Sequence, residues 1–80
     1  MILDYINAAM RKAHYEIIED DGSYYGEIVD FDGVYANSET LEACRGELLQ
    51  VLEEWLLFRI SRNLVVPIVD GHSLKVEKVA

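Results

Sequence analysis

Acidic side chains crowd the first half of the chain, where carboxylates of this kind could bind divalent metal ions. They are Glu16, Glu19, Asp20, Asp21, Glu27, Asp30 and Asp32. A metal-dependent nuclease needs several carboxylates that converge on one or two divalent ions. Glu16 and Glu27 can face each other across a hairpin, but no acid on a second element is placed to complete a buried cluster. A solvated sheet edge whose charges oppose aggregation is the favoured interpretation, and the nuclease is the weaker alternative.

The histidines and the single cysteine form no catalytic or zinc-binding pattern. His14 and His72 are far apart in the sequence and lack the spacing of zinc ligands. Cys44 could form a thiol–imidazole pair with either histidine, but its place on the apolar face of a predicted helix favours a structural role. The glycines are scattered, so no phosphate-binding loop is predicted. We therefore expect no enzyme activity, no catalytic residue, no cofactor and no metal ion.

The charge of the chain indicates which kind of partner it can bind. Its 80 residues carry a formal net charge of −8, from 15 acidic and 7 basic residues. Direct binding of nucleic acid needs concentrated Lys and Arg and is not expected. A basic protein partner is permitted, because its charge would be complementary. Acidity that serves solubility alone is the alternative.

Length and composition predict one domain over residues 1–80. An apolar content of 51% is sufficient for a core. No stretch reaches the ~20 apolar residues that span a membrane, so no membrane contact is expected. The N-terminus lacks the pattern of a signal peptide. Because a single cysteine can form no disulfide within the chain, we expect a cytoplasmic protein.

The element that must position the other residues is a long amphipathic helix, predicted over residues 40–62. Thr40 suits its N-cap, and Asn63 suits a left-handed stop after its last turn. Gly46, inside the helix, is interpreted as a close approach to a sheet. One apolar face recurs at steps of three and four residues. Its members are Leu41, Cys44, Leu48, Val51, Leu52 and Trp55.

The same helix has more apolar residues than one face can hold. A helix end buried on several sides would explain the surplus, and so would contact with another copy of the chain. We predict a homodimer or a higher homo-oligomer, because most soluble homo-oligomers are closed and two-fold. The expected oligomer interface consists of Leu49, Leu56, Leu57, Phe58 and Ile60.

The rest of the chain predicts a three-stranded antiparallel sheet packed on this helix. Alternating polarity and turn residues give the other elements. They are a short N-terminal helix over 2–12, strands over 14–20, 24–30 and 34–36, and a short C-terminal strand over 73–79. Asp21-Gly22 is a strong hairpin signal. The fold class is α+β. The expected core is Tyr15, Ile17, Ile28, Val34, Leu41, Cys44, Leu48, Leu52 and Trp55.

Three runs of sequence carry an ordered set of motifs: an acidic hairpin, a tight bend that ends in Gly, and a Thr-Leu-Glu-Glu-Ala-like helix start. The runs are residues 24–28 (Tyr-Tyr-Gly-Glu-Ile), 30–36 (Asp-Phe-Asp-Gly-Val-Tyr-Ala) and 39–45 (Glu-Thr-Leu-Glu-Ala-Cys-Arg). The set resembles the HicB-like antitoxin family, in a short, single-domain branch, and the resemblance covers residues 14–71. It departs from the family pattern at Val29 and Asp32, where prolines are usual.

The resemblance implies a partial ribonuclease-H-like fold that lacks the full catalytic set. It also implies a partner, because this family neutralises small basic toxins (HicA-like ribonucleases) that cleave mRNA. Many members carry a C-terminal domain that binds DNA. No such domain follows in this sequence, so direct DNA binding is not carried over.

Charge and resemblance together predict an antitoxin of a type II toxin–antitoxin system that binds its toxin through the hairpin. Rim charges speed the encounter, whereas aromatic anchors hold a complex together. The expected partner-binding residues are Glu16, Glu19, Asp20, Asp21, Tyr24, Tyr25, Glu27 and Asp30. An orphan oligomerising domain without a toxin partner is the first alternative, ahead of the metal-dependent nuclease.

Overall fold

The structure, a computed structural model, describes residues 2–73, which form one sheet and two helices. In chain order the elements are α1 (Ile2–Arg11), β1 (Ala13–Ile17), β2 (Tyr24–Ile28), β3 (Tyr35–Ser38) and α2 (Leu41–Ser61). The strands are antiparallel in the order β1-β2-β3, so β2 is central and β1 is an edge strand. The predicted α+β class with a three-stranded antiparallel sheet and two helices is confirmed. The predicted C-terminal strand lies outside the described residues, apart from Ser73.

All three strands have bounds that differ from those predicted: β1 ends at Ile17, β2 ends at Ile28, and β3 runs from Tyr35 to Ser38. The first turn begins at Ile18, whose N–H donates to the carbonyl oxygen of Ser23 at 2.8 Å and whose own oxygen accepts from Gly22. Val34, predicted to begin β3, instead belongs to the bend before it. Its N–H donates to the oxygen of Phe31 at 3.1 Å. The strands are therefore short, and the turns are held by their own hydrogen bonds.

The inner face of the sheet, which α2 covers, depends on a glycine at the centre of β2. Gly26 lies between Tyr15 of β1 and Ala36 of β3. A Cβ atom at this position would lie 2.8 Å from the ring of Tyr15 and 3.2 Å from the Sγ atom of Cys44. The ring and the thiol thus occupy the space that a side chain at position 26 would need. The close approach predicted for Gly46 occurs at Gly26 instead, since a Cβ on Gly46 would meet nothing within 4 Å.

Helix α2 begins and ends as its sequence predicts. The Thr40 hydroxyl oxygen accepts from the N–H of Ala43 at 3.1 Å, which satisfies one of the free donors of the first turn. At the other end Asn63 has a left-handed φ of 56°, and the N–H of Leu64 donates to the Arg59 oxygen at 2.8 Å. These contacts fix both ends of the helix, which lies along β2 and β3.

An aromatic cluster of Tyr5, Phe31 and Trp55 packs between the two helices and the bend that joins β2 to β3. Phe31, in the bend between β2 and β3, is buried, with its ring centroid 5.1 Å from that of Trp55 and 6.4 Å from that of Tyr5. The Trp55 Nε1–H donates to the Asp32 oxygen at 2.9 Å. The Tyr5 hydroxyl donates to the oxygen of Pro67. The bend, both helices and the segment after α2 are therefore packed together.

The segment after α2 returns along α1 toward the start of β1. The Arg59 Nε–H donates to the Val65 oxygen at 2.8 Å, and Lys12 forms a 3.0 Å ion pair with Asp70. Val69 is buried in the core and forms an isolated β-bridge with His72. This segment does not join the sheet within the described residues.

The predicted core is right in the middle of α2, wrong at its first residue, and incomplete elsewhere. Ile28, Val34, Cys44, Leu48 and Leu52 are buried, and Tyr15 and Trp55 pack against them. Two members are wrong: Ile17 and Leu41 are 60% and 48% exposed, because α2 packs mainly on β2 and β3 and leaves the end of β1 uncovered. The buried residues that the prediction missed are Tyr5, Ala8, Ala9, Phe31, Ala36, Leu56 and Val69.

We predict that Gly26→Ala lowers the free energy of unfolding by about 1–3 kcal/mol, the usual cost of overpacking a core. The added methyl group must displace the Tyr15 ring or the Cys44 thiol. Denaturant unfolding followed by circular dichroism measures the change.

Gly46→Ala is the matched control, because it adds the same methyl group at an exposed helical position. It should raise the free energy of unfolding by up to about 1 kcal/mol, since alanine has the higher helix propensity. Equal losses in the two variants would contradict the packing at Gly26.

We also predict that the Asp21 carboxylate stabilises the first turn in a pH-dependent way. Hydrogen bonds from Ser23 hold the pKa of Asp21 below its ordinary value of 3.8. A pKa lowered by folding contributes stability that is present above the unfolded pKa and is lost as the pH falls through the folded pKa. Asp21→Ala should therefore be less stable than wild type at neutral pH. The difference should shrink as the pH drops below about 4.

Thermal unfolding at a series of pH values measures this effect. Asp20→Ala is the control, because it removes a neighbouring exposed carboxylate and keeps the bond between Asp21 and Ser23. A stability difference for Asp21→Ala that is the same at every pH would contradict the prediction.

Candidate protein-binding surface

The outer face of the sheet, opposite α2, is where polar and aromatic side chains come together. The strand register determines its members. We define the outer face as His14, Glu16, Tyr25, Glu27, Tyr35 and Asn37. Each of them is exposed or only half-buried. No element of the described residues covers this side of the sheet, so it is open to a partner.

Two tyrosines form a flat apolar area in the middle of the outer face. The rings of Tyr25 and Tyr35 are stacked, with centroids 6.3 Å apart and planes inclined by 28°. The Tyr25 hydroxyl donates to Oε2 of Glu27 at 3.2 Å. Partial desolvation, followed by the charge of Glu27, raises the pKa of Tyr25 above its ordinary value, so the phenol stays protonated and remains a donor.

Two carboxylates border this aromatic area, that of Glu16 on β1 and that of Glu27 on β2. The register places Glu16 opposite Tyr25 and Glu27 opposite His14. The sequence suggested that the two glutamates face each other across the hairpin. In the structure they are diagonal neighbours instead. Together with the ring of Tyr25 they line a shallow groove of about 350 Å³. Carboxylates beside an aromatic face suit a cationic side chain, which gains an ion pair and a cation–π contact.

The residues predicted to bind a partner do not all lie on one surface. Glu16, Tyr25 and Glu27 share the outer face, and Glu19, Asp20 and Asp21 form the turn between β1 and β2. Tyr24 lies on the inner face and packs against the core. Asp30 lies in the bend at the other end of the sheet, with a left-handed φ of 72°. The turn and the outer face therefore lie next to each other, whereas Tyr24 and Asp30 lie elsewhere.

Like His14 and Asn37, Tyr35 is an outer-face residue that the predicted partner-binding set lacks. It lies between Val34 and Ala36, which are both buried. Because side chains alternate across a strand, two inward neighbours place the residue between them outward. This alternation was a signal in the sequence that could have found it.

Catalytic and metal-binding geometry receives no support from the described residues. Within residues 2–73, no three His, Cys, Asp or Glu side chains lie close enough together to hold a metal ion. Cys44 is buried beneath the sheet, and burial raises the pKa of its thiol above the ordinary value. His14 lies on the opposite face of that sheet, so the two residues do not form a thiol–imidazole pair.

A second exposed surface lies on the helical side and contains part of the predicted oligomer interface. Leu57 is 66% exposed, Phe58 is exposed, and Leu49 and Ile60 are half-buried. Leu56 is a wrong prediction for this surface: at 2% exposure it packs in the core of its own chain. Leu57 and Ile60 line a mostly apolar groove of about 140 Å³ between α1 and α2, whereas Phe58 does not line it.

Neither helix of the described part, residues 2–73, is long and apolar enough to cross a membrane. The longer one, α2, carries acidic and basic residues along its length, among them Glu47, Glu54 and Arg59.

Comparison with known proteins agrees with this architecture. A family model described as UPF0150-like matches residues 4–67. The crystal structure of TTHA0281 from Thermus thermophilus is similar, with a TM-score of 0.87 and 36% sequence identity over 96% of this chain and 95% of that chain. No curated protein matches the chain. The chain therefore belongs to the UPF0150-like family, a small family of the HicB-like, antitoxin type.

Proposed function

We propose that this protein is a HicB-like antitoxin that neutralises a small basic, mRNA-cleaving toxin by binding it, without catalysis of its own. The observation that carries the proposal is the uncovered outer face, where stacked tyrosines are bordered by carboxylates. Family membership is compatible with this role. The relation to a partial ribonuclease-H-like fold belongs to the same proposal, supported by an antiparallel three-stranded sheet followed by a long helix.

Charge brings the partner to this surface. The whole chain has a net charge of −8. Four of its acidic residues lie at this surface: Glu16 and Glu27 on the outer face, and Glu19 and Asp20 in the adjoining turn. Exposed charges of one sign raise the association rate with an oppositely charged partner, and salt weakens the effect. These residues therefore determine how fast a basic toxin arrives.

Aromatic area then holds the partner in place. Tyr25 and Tyr35 offer two ring faces fixed on neighbouring positions of the sheet. Arginine side chains of a basic partner can stack on such rings while they pair with the carboxylate of Glu27. Contacts of this kind mainly set the dissociation rate.

Self-association through the helical surface is a separate part of the proposal. The exposed Leu57 lines the apolar groove between α1 and α2, Phe58 is also exposed, and we propose that this surface contacts another copy. The same surface favours the alternative function, an orphan domain that only oligomerises. A toxin partner distinguishes the two functions, because only the antitoxin needs the outer face.

We predict that the outer face is required for toxin binding. Co-expression with an adjacent reading frame for a small basic protein should restore growth if that protein is toxic. Tyr25→Ala and Tyr35→Ala should each speed dissociation about tenfold, since anchor residues contribute about 1.4 kcal/mol or more. Glu16→Lys should slow association and reduce its salt dependence. Surface plasmon resonance measures both rates.

Two control variants are matched to these substitutions. One keeps the aromatic ring of Tyr25, and the other reverses a charge away from the outer face. Tyr25→Phe should dissociate at nearly the wild-type rate, because the stacking ring remains. Glu54→Lys makes the same charge change as Glu16→Lys, but at an exposed position of α2, which covers the opposite face of the sheet. If the toxic neighbour neither binds this chain nor is neutralised by it, the antitoxin proposal fails and the orphan-domain alternative replaces it.

We predict that Leu57→Glu reduces the mass of the homo-oligomer measured by light scattering at tens of micromolar. The substitution places a charge among the apolar side chains of the helical surface. Ile68→Glu is the control, because Ile68 is also exposed but follows α2 in the chain. An unchanged mass for Leu57→Glu would contradict the proposed contact.

A further inference from the structure

The strand register repeats one pair of residue types on the outer face. Glu16 of β1 lies directly opposite Tyr25 of β2, and Glu27 of β2 lies directly opposite Tyr35 of β3. The second pair is displaced from the first by one strand and by two residues. Side chains directly opposite each other in an antiparallel sheet have Cβ atoms about 5 Å apart. Each pair therefore places a carboxylate beside an aromatic ring.

The two pairs also contact each other, so they form one continuous surface. The rings of Tyr25 and Tyr35 are stacked with centroids 6.3 Å apart, and the Tyr25 hydroxyl donates to Oε2 of Glu27 at 3.2 Å. Partial desolvation, followed by the charges of Glu27 and Glu16, raises the pKa of Tyr25. Both carboxylates thus lie near the same phenol, and each still has oxygen atoms for a further donor.

Within the described part of the chain, neither Glu16 nor Glu27 forms an ion pair with a basic side chain. His14, which lies opposite Glu27, forms none with it either. A carboxylate beside a ring suits arginine, because the planar guanidinium can stack on the ring and donate two hydrogen bonds to the carboxylate. A lysine ammonium has no flat face and gains less at such a site.

The displacement between the pairs matches one turn of a helix. Diagonal neighbours in a sheet lie about 7–8 Å apart. Residues four apart on a helix share a face and are separated by about 6 Å along its axis, a difference that long arginine side chains accommodate. A helix also satisfies its own backbone hydrogen bonds. An extended segment would not find them on this face, since β2 is already paired on both sides.

We propose that the outer face binds an amphipathic helix of a basic partner through two arginine side chains four residues apart. One guanidinium pairs with Glu16 and stacks on Tyr25, and the other pairs with Glu27 and stacks on Tyr35. Because α2 covers the inner face, the partner helix becomes a second helical layer on the sheet. This inference rests on the proposed function for its basic partner, and it names the element and the residue type that make the contact.

Helical peptides test the proposed contact without a toxin. Three alanine-rich peptides of about 20 residues, each with a fluorescent label, are compared at low salt. The first carries arginines at positions i and i+4, and the second carries lysines there. The third carries arginines at i and i+2, which lie on different faces of a helix. The first should bind about tenfold more tightly than either of the others, measured by fluorescence anisotropy.

Variants of the protein test the two pairs. Glu16→Gln and Glu27→Gln keep the side-chain shape but remove a charge, and each should weaken binding of the first peptide about threefold to tenfold. Tyr35→Leu keeps an apolar side chain without a ring, so it should reduce the preference for arginine over lysine. Glu54→Gln is the control on the exposed side of α2 and should bind as wild type does. Circular dichroism checks that each variant is folded.

Two results would overturn the inference. The first is a lysine peptide, or the peptide with arginines at i and i+2, that binds as tightly as the first peptide. The second is unchanged binding by Glu16→Gln and Glu27→Gln. If either occurs while the chain still neutralises a toxin, the antitoxin proposal stands and this inference alone fails. If the peptides behave as expected while the toxic neighbour does not bind, the arginine-binding surface is supported and the antitoxin proposal fails.

Discussion

The structure depends on the close contact at Gly26, where the middle of the sheet carries no side chain. The ring of Tyr15 and the thiol of Cys44 meet above this residue, at distances that a Cβ atom would not allow. The contact lets α2 lie directly on β2 and β3, with Leu48 and Leu52 fully buried behind it. Because the helix is held over these two strands, it cannot also cover the far end of β1.

The bend at Phe31 has the complementary role at the other end of α2. Asp30 and Gly33 take left-handed φ values of 72° and 91°, which turn the chain so that the Phe31 ring points inward. There it contacts Tyr5 and Trp55, one from each helix. A helix of ten residues is marginal by itself in water, so α1 depends on this contact for its place. The Phe31 side chain of the bend therefore holds α1 and α2 together in one layer.

The sequence predicted what depends on local pattern. Residue periodicity and caps gave α2 and its two ends at Thr40 and Asn63, and the Asp21-Gly22 turn gave the hairpin. It failed where tertiary contacts decide. Nothing local distinguishes Gly46, which is exposed, from Gly26, which is a contact point. Likewise, the periodicity of Leu41 is the same as that of Leu48.

The candidate site was predicted in part for the same reason. Acidity and alternation indicated a charged face with Glu16, Tyr25 and Glu27, and these do share one surface. The sequence could not show that Asp30 turns away into the bend, because this depends on a backbone conformation that non-glycine residues rarely adopt. Burial of Leu56 depends on where α1 lies across α2, which the helical pattern alone does not contain.

The packing on the inner face also determines the chemistry of the outer face. Side chains alternate across a strand, so a shift of one residue in β2 would exchange its two faces. Such a shift would place Tyr25 or Glu27 beneath the Cys44 thiol, where the structure has room only for a glycine. The contact at Gly26 therefore fixes the register, and the register keeps Tyr25 on the solvent side beside Tyr35. The proposed binding surface needs side chains held in fixed relative positions, and here a buried contact on the other side of the sheet holds them.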